Sequence, residues 1–134
     1  MPLNWTPDLA VGITIIDDQH KELFLRANLL ELAVAKGRSE KELIEMVDFL
    51  EGYIVVHFGL EERQMEVHHY HDYATHKAQH NNFIETFTEF RKQYFTDGAT
   101  AMLAERMKQF VSEWIVTHIQ QADKSMAIFL RGRN

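Results

Sequence analysis

His57-Phe58-Gly59-Leu60-Glu61-Glu62, followed by His76 and His80, is the stretch from which the fold can be read. It sets a histidine and a carboxylate at i, i+4, and then two histidines at i, i+4. Four residues turn an α-helix through roughly 400°, so each pair lies on one face about one turn apart. Two side chains placed that way can grip one ion or bridge two. The neighbouring sequence keeps helical spacing in both directions.

The second helix is predicted over 40–64. Its stripe is Leu43, Val47, Leu50, Ile54, His57 and Glu61, in steps of 4, 3, 4, 3, 4. His57 and Glu61 therefore continue the core face. Ser39 and Glu42 read as a capping box at its start. Gly52 and Gly59 each weaken this helix by about 1 kcal/mol against alanine, and Gly59 would permit a close backbone approach. Upstream, a helix is predicted over 17–36. Ile13, Ile16, His20, Leu23, Ala27, Leu30 and Val34 form its inward stripe, and Gly37 ends it. Residues 1–16 form an irregular arm with Pro2 and Pro7, anchored by Trp5 and Leu9.

Downstream, residues 66–72 break the period and read as a connection, with Asp72 as N-cap of a third helix over 73–95. That helix carries His76, His80, Phe83, Phe87, Phe90 and Tyr94 on one face. A turn at Thr96-Asp97-Gly98 leads into a fourth helix over 99–120. Its face is Leu103, Met107, Phe110, Trp114 and His118. Asp123 follows His118 by five residues, roughly 140° away on a regular α-helix, so a bend or a loosened last turn is needed to align them. The tail, from Ala127 to Leu130 and on to Asn134, reads as a short apolar turn and a polar end.

Four helices with short connections predict an all-α, up-down-up-down antiparallel four-helix bundle, one domain over 1–134. His20, His57, Glu61, His76, His80, His118 and Asp123 then all fall at one end of it. Without an ion they would be a buried cluster of polar groups, each costing roughly 1–3 kcal/mol if unpaired. A metal explains the cluster better. The set is too rich in nitrogen for magnesium or calcium and too large for one tetrahedral zinc. It suits two ions, with iron favoured and zinc, manganese or cobalt as substitutes.

Composition limits the alternatives. The 134 residues carry a formal net charge of -6 with both signs interspersed, which excludes a basic nucleic-acid surface. No apolar run approaches the ~18–20 residues of a membrane span. No cysteine is present, so thiolate ligands, disulfides and iron–sulfur clusters are excluded. No export signal is visible, and a cytoplasmic, monomeric protein is the expectation.

The motifs resemble those of the hemerythrin family, in its single-domain bacterial form. The matching residues are Trp5, Val11-Gly12-Ile13, the run from Ile16 to Lys21, His57-Phe58-x-x-Glu61-Glu62-x-x-Met65, Tyr70, His76-x-x-x-His80-x-x-Phe83, and Trp114-x-x-x-His118-Ile119-x-x-x-Asp123. The likeness covers nearly the whole chain, and the five-residue spacing from His118 to Asp123 is the family's own. It implies two iron ions. His76, His80 and His118 would hold one, and His20 and His57 the other, which keeps an open position for dioxygen. Glu61 and Asp123 would bridge the pair together with an oxo or hydroxo group. Leu23, Phe58, Trp114 and Ile115 would line the oxygen pocket.

Where the family commonly has Tyr-Pro before the third helix, this chain has Tyr70-His71, beside His68 and His69. Glu66-x-x-His69 matches one half of a di-iron oxidase motif, but its second copy is missing, and the patch reads as solvated surface.

The resemblance implies reversible dioxygen binding for storage, transport or delivery, not an enzyme. The resemblance leaves room for an unidentified protein partner that accepts the oxygen or supplies electrons. Three other functions use the same residues: an oxygen or redox sensor, a di-iron enzyme acting on oxygen, peroxide or nitric oxide, and a zinc-stabilised or iron-storing bundle.

Overall fold

The computed structural model describes residues 4–132. Pro2 of the predicted arm and the last two residues of the predicted polar tail lie outside the described residues. Within them the chain forms an all-α four-helix bundle with no strand. The first rod is α1 (Thr14–Ala35). The second is α2 (Glu40–Tyr53), which runs through a π-helical turn, Ile54–Phe58, into α3 (Gly59–Val67) without a break. The third is α4 (Tyr73–Asp97). The fourth is α5 (Ala101–Trp114), a longer π-helical stretch, Ile115–Asp123, and α6 (Lys124–Arg131). No described helix is long and apolar enough to cross a membrane.

Each predicted helix exists, with shifted ends. The first starts at Thr14 rather than 17, so the arm is shorter than 1–16 and includes a 3-10 turn, Pro7–Leu9. The second and third run to Val67 and Asp97. The largest correction concerns the tail. Residues predicted as an apolar turn continue the fourth helix to Arg131, because Met126, Ala127 and Leu130 have a surface to bury against.

Capping also departs from expectation. Ser39 has near-helical φ/ψ (-101°, -4°) and makes no side-chain cap, so the predicted capping box does not form. A cap needs an extended residue whose oxygen faces the helix. Asp72 likewise offers no side-chain cap; its carbonyl accepts from the His76 N–H at 3.0 Å. Thr100 does meet the requirement: it is extended, and its hydroxyl accepts from the Leu103 N–H at 3.1 Å. Gly59 supports no close approach, since nothing lies within 4 Å of where its Cβ would sit.

Two apolar clusters hold the bundle. The main one includes Leu23, Leu30, Leu43, Leu50, Phe58, Phe83, Met107 and Ile115. A smaller one closes one end with Val11, Ile16, Met65, Tyr70, Met126, Ala127 and Leu130. The arm is tied down beside it. The Val11 N–H donates to Asp17 Oδ1 at 2.8 Å, Arg131 bonds the Ala10 carbonyl, and the Lys21 ammonium lies 4.5 Å from the centre of the Trp5 ring.

The end of α3 carries a strained residue. The Tyr70 N–H bonds the Met65 carbonyl and the His69 N–H bonds the Glu66 carbonyl, a Schellman closure with His69 at φ 56°. Glycine is the usual residue there, and a side chain in that region costs roughly 1–2 kcal/mol. His69→Gly is expected to raise stability by about 1 kcal/mol, seen as a Tm higher by a few degrees; a lower Tm contradicts this.

Candidate metal centre

The two i, i+4 pairs and the two π-helical stretches account for the site. His57 lies in the first π-helical turn and Glu61 one turn on, in α3. His76 and His80 lie one turn apart on α4. The second π-helical stretch resolves the awkward spacing of His118 and Asp123. Its hydrogen bonds close over five residues rather than four, so residues five apart share a face. His118 Nε2 is 3.0 Å from Asp123 Oδ1.

All seven predicted residues meet between the two apolar clusters, each 3% exposed or less. The two carboxylates divide them. Glu61 Oε2 faces His20 and His57 at 3.2 and 3.0 Å, while its Oε1 faces His76 and His80 at 3.5 and 3.1 Å. Asp123 Oδ2 faces His20 at 3.1 Å, while its Oδ1 faces His76 at 2.9 Å and His118. The candidate ligand atoms fall into two groups, each within 4.8 Å: Glu61, His76, His80, His118 and Asp123, and His20, His57, Glu61 and Asp123.

These donors suit metal binding. Nε2 of His57, His76, His80 and His118, Glu61 Oε1 and both Asp123 oxygens are buried without a hydrogen-bond partner. Buried polar atoms are nearly always paired, so a converging set of imidazole nitrogens and carboxylate oxygens of this kind is suited to cations.

The second nitrogens of three of these histidines are held from outside. Gln19 Oε1 accepts from His57 Nδ1 at 2.7 Å, Glu62 Oε2 from His80 Nδ1 at 2.9 Å, and Gln79 Oε1 from His118 Nδ1 at 2.6 Å. Each bond fixes the tautomer and turns the Nε2 lone pair inward. Each acceptor sits next to a ligand candidate in sequence but bonds a histidine on the following rod. None of these three roles was expected from the sequence, and Glu62 lies about 100° round the helix from Glu61. That angle is what aims it at α4. A polar residue beside each ligand candidate was the available signal.

The electrostatics belong to the same arrangement. Burial opposes protonation of His20, but the Asp123 and Glu61 carboxylates beside it prevail and push its pKa up to about 10. His76 is raised to about 9 in the same way. Burial dominates at His57 and lowers its pKa. Glu61 is held well below the usual carboxylate range: burial opposes this, but the imidazoles of His57, His20 and His76 around it outweigh it. Asp123 is also held well below it: burial and the Glu61 charge raise its pKa, and His118 and His20 overcome both. Carboxylates that stay ionised are suited to cations.

Aromatic rings pack on the histidines. Phe58 stacks on His80 at 3.9 Å, Trp114 on His118 at 4.0 Å, and Tyr53 on His57 at 4.4 Å. Of the predicted pocket residues, Phe58 and Trp114 thus stack on histidines of the group of three; Leu23 and Ile115 are fully buried. Tyr53 was not foreseen. The loop histidines stay apart from the cluster. His71 faces its neighbour Asp72 at 3.7 Å, and Glu66 accepts from the Tyr73 hydroxyl rather than pairing with His69. A surface cavity of about 690 Å³ beside Gly37, Ser39 and Ala99 includes none of the seven.

Comparison with known proteins agrees with this geometry. A family profile described as Hemerythrin HHE cation binding domain matches residues 11–128. A protein named bacteriohemerythrin from Methylococcus capsulatus is 32% identical over 91% of this chain and 92% of its own length. One of the same name from Pseudomonas paraeruginosa is 33% identical over 90% of this chain and 76% of its own. A hemerythrin-like protein of Naegleria gruberi is 29% identical over 91% and 88%. With a profile match along most of its length and relatives above 30% identity across nearly all of it, the chain belongs to the hemerythrin family.

Proposed function

We propose that the chain is a non-haem di-iron protein that binds dioxygen reversibly, for storage, transport or delivery. The observation that carries this reading is the division of carboxylate oxygens: Glu61 and Asp123 each offer one oxygen to the His20 side and the other to the group of three. His76, His80 and His118 would hold one iron, His20 and His57 the other, and the two carboxylates would span both. When bound, a reduced iron pair supplies the two electrons that dioxygen takes up and returns.

The rest is the work of the chain's own residues. Two histidines against three leave the His20 side with fewer protein donors, so it is the side where a small ligand can be added. Gln19, Glu62 and Gln79 hold imidazoles in one tautomer and one orientation. Leu23, Phe58, Trp114 and Ile115 shield the centre from bulk water, which favours release of dioxygen over its conversion. A ligand set rich in histidine, rather than in carboxylate, supports binding over oxidase chemistry.

The test of the ligand assignment is metal analysis after reconstitution with ferrous iron. His118→Ala is expected to lose iron, whereas His69→Gly, which alters only the loop, keeps it. Full iron content in His118→Ala would overturn the assignment.

A further inference from the structure

Tyr53 is a buried phenol with no partner. It lies one turn before His57, is 5% exposed, and its hydroxyl finds no hydrogen bond. Its ring is nearly parallel to the His57 imidazole, with centroids 4.4 Å apart and an 18° tilt. That stacking sets the ring directly against His57. Its other ring neighbours are Phe49 and Phe58, at 5.5 and 5.6 Å, and neither offers an acceptor. An orphaned hydroxyl costs roughly 1–3 kcal/mol and calls for an explanation. The nearby polar chemistry is the metal centre, on its two-histidine side. A phenol is ordinarily protonated at neutral pH and so can donate.

We propose that the Tyr53 hydroxyl donates a hydrogen bond to the small ligand added beside His20 and His57, whether dioxygen or a small anion. This rests on the di-iron reading above and assigns one specific contact within it. The hydroxyl has no internal partner because its partner is the incoming ligand. Tyr53 is then a ligand-positioning residue: it slows ligand loss and favours ligands with a lone pair at the donor's reach.

Tyr53→Phe removes the hydroxyl and keeps the ring stacked on His57. The probe is azide, titrated against the oxidised, iron-loaded full chain. Tyr53→Phe is expected to keep the wild-type iron content and bind azide about tenfold more weakly, the loss of one hydrogen bond to a charged acceptor. The infrared stretch of bound azide should shift in D2O in the wild type and not in the variant, a signature that a packing role alone would not produce. Equal azide affinity, or the same D2O shift in both proteins, overturns the proposal. So does loss of iron from Tyr53→Phe, which would give the hydroxyl a role in holding the ligands instead. The metal-free variant should melt no lower than the wild type; a lower Tm would reveal an internal partner and overturn it as well. Failure of the wild type to take up iron is a separate outcome that removes the di-iron reading and the contact built on it.

Discussion

Glu61→Ala is expected to leave a helical chain that cannot hold iron. Glu61 lies within 3.5 Å of Nε2 on His20, His57, His76 and His80, so it serves both ligand groups. Its removal leaves five imidazoles facing Asp123 alone, with half the negative charge gone from both groups. Outer-shell changes already weaken metal sites by about 10–100-fold, and loss of a residue that, on the di-iron proposal, is a donor to both ions should exceed that. Metal analysis should find iron near background while far-ultraviolet circular dichroism stays helical. Iron retained at the wild-type level would contradict the shared role of Glu61.

Phe58→Ala should have the largest effect on stability. The ring stacks on His80, meets Phe83 edge-on at 5.5 Å and lies 5.8 Å from Trp114, with 2% of its surface exposed. Truncating a buried phenylalanine costs about 3–5 kcal/mol through lost transfer energy and the cavity left behind. That is a large part of a typical total stability of about 5–15 kcal/mol. The metal-free variant should melt lower by roughly 10 °C or more. The cavity would also open beside His80 and admit water, so irreversible oxidation of the iron-loaded form should quicken. A Tm within a few degrees of wild type would show that this wall of the site is not tightly packed.

The bundle was legible because apolar residues and histidines share one helical period. Leu50 and His57 lie on one stripe, as do His80 and Phe83, so core and site are read together. All seven residues predicted to converge do so. What escaped was local. The period of an α-helix cannot report a π-helical stretch, so Asp123 was out of phase with His118 until its backbone was seen. The helical tail was missed because Met126 and Leu130 bury against Val11 and Met65, which are distant in sequence. Ser39 matched a capping box in sequence, but its backbone is near-helical. Gln19, Glu62 and Gln79 act on neighbouring rods, a relation that no spacing along one helix encodes. Tyr53 lies off the stripe that runs through Leu50, Ile54 and His57, so the spacing gave it no place, and only its unpartnered hydroxyl sets it apart.

The central claim is that this buried histidine and carboxylate cluster takes up dioxygen reversibly on a pair of irons. The most direct measurement is an iron assay combined with absorption spectra of the reconstituted chain through repeated cycles of air and argon. The account predicts a pair of irons per chain and a visible band that appears in air, fades under argon and returns. A chain that stays colourless, carries only zinc, or consumes oxygen steadily in the presence of a reductant would contradict it.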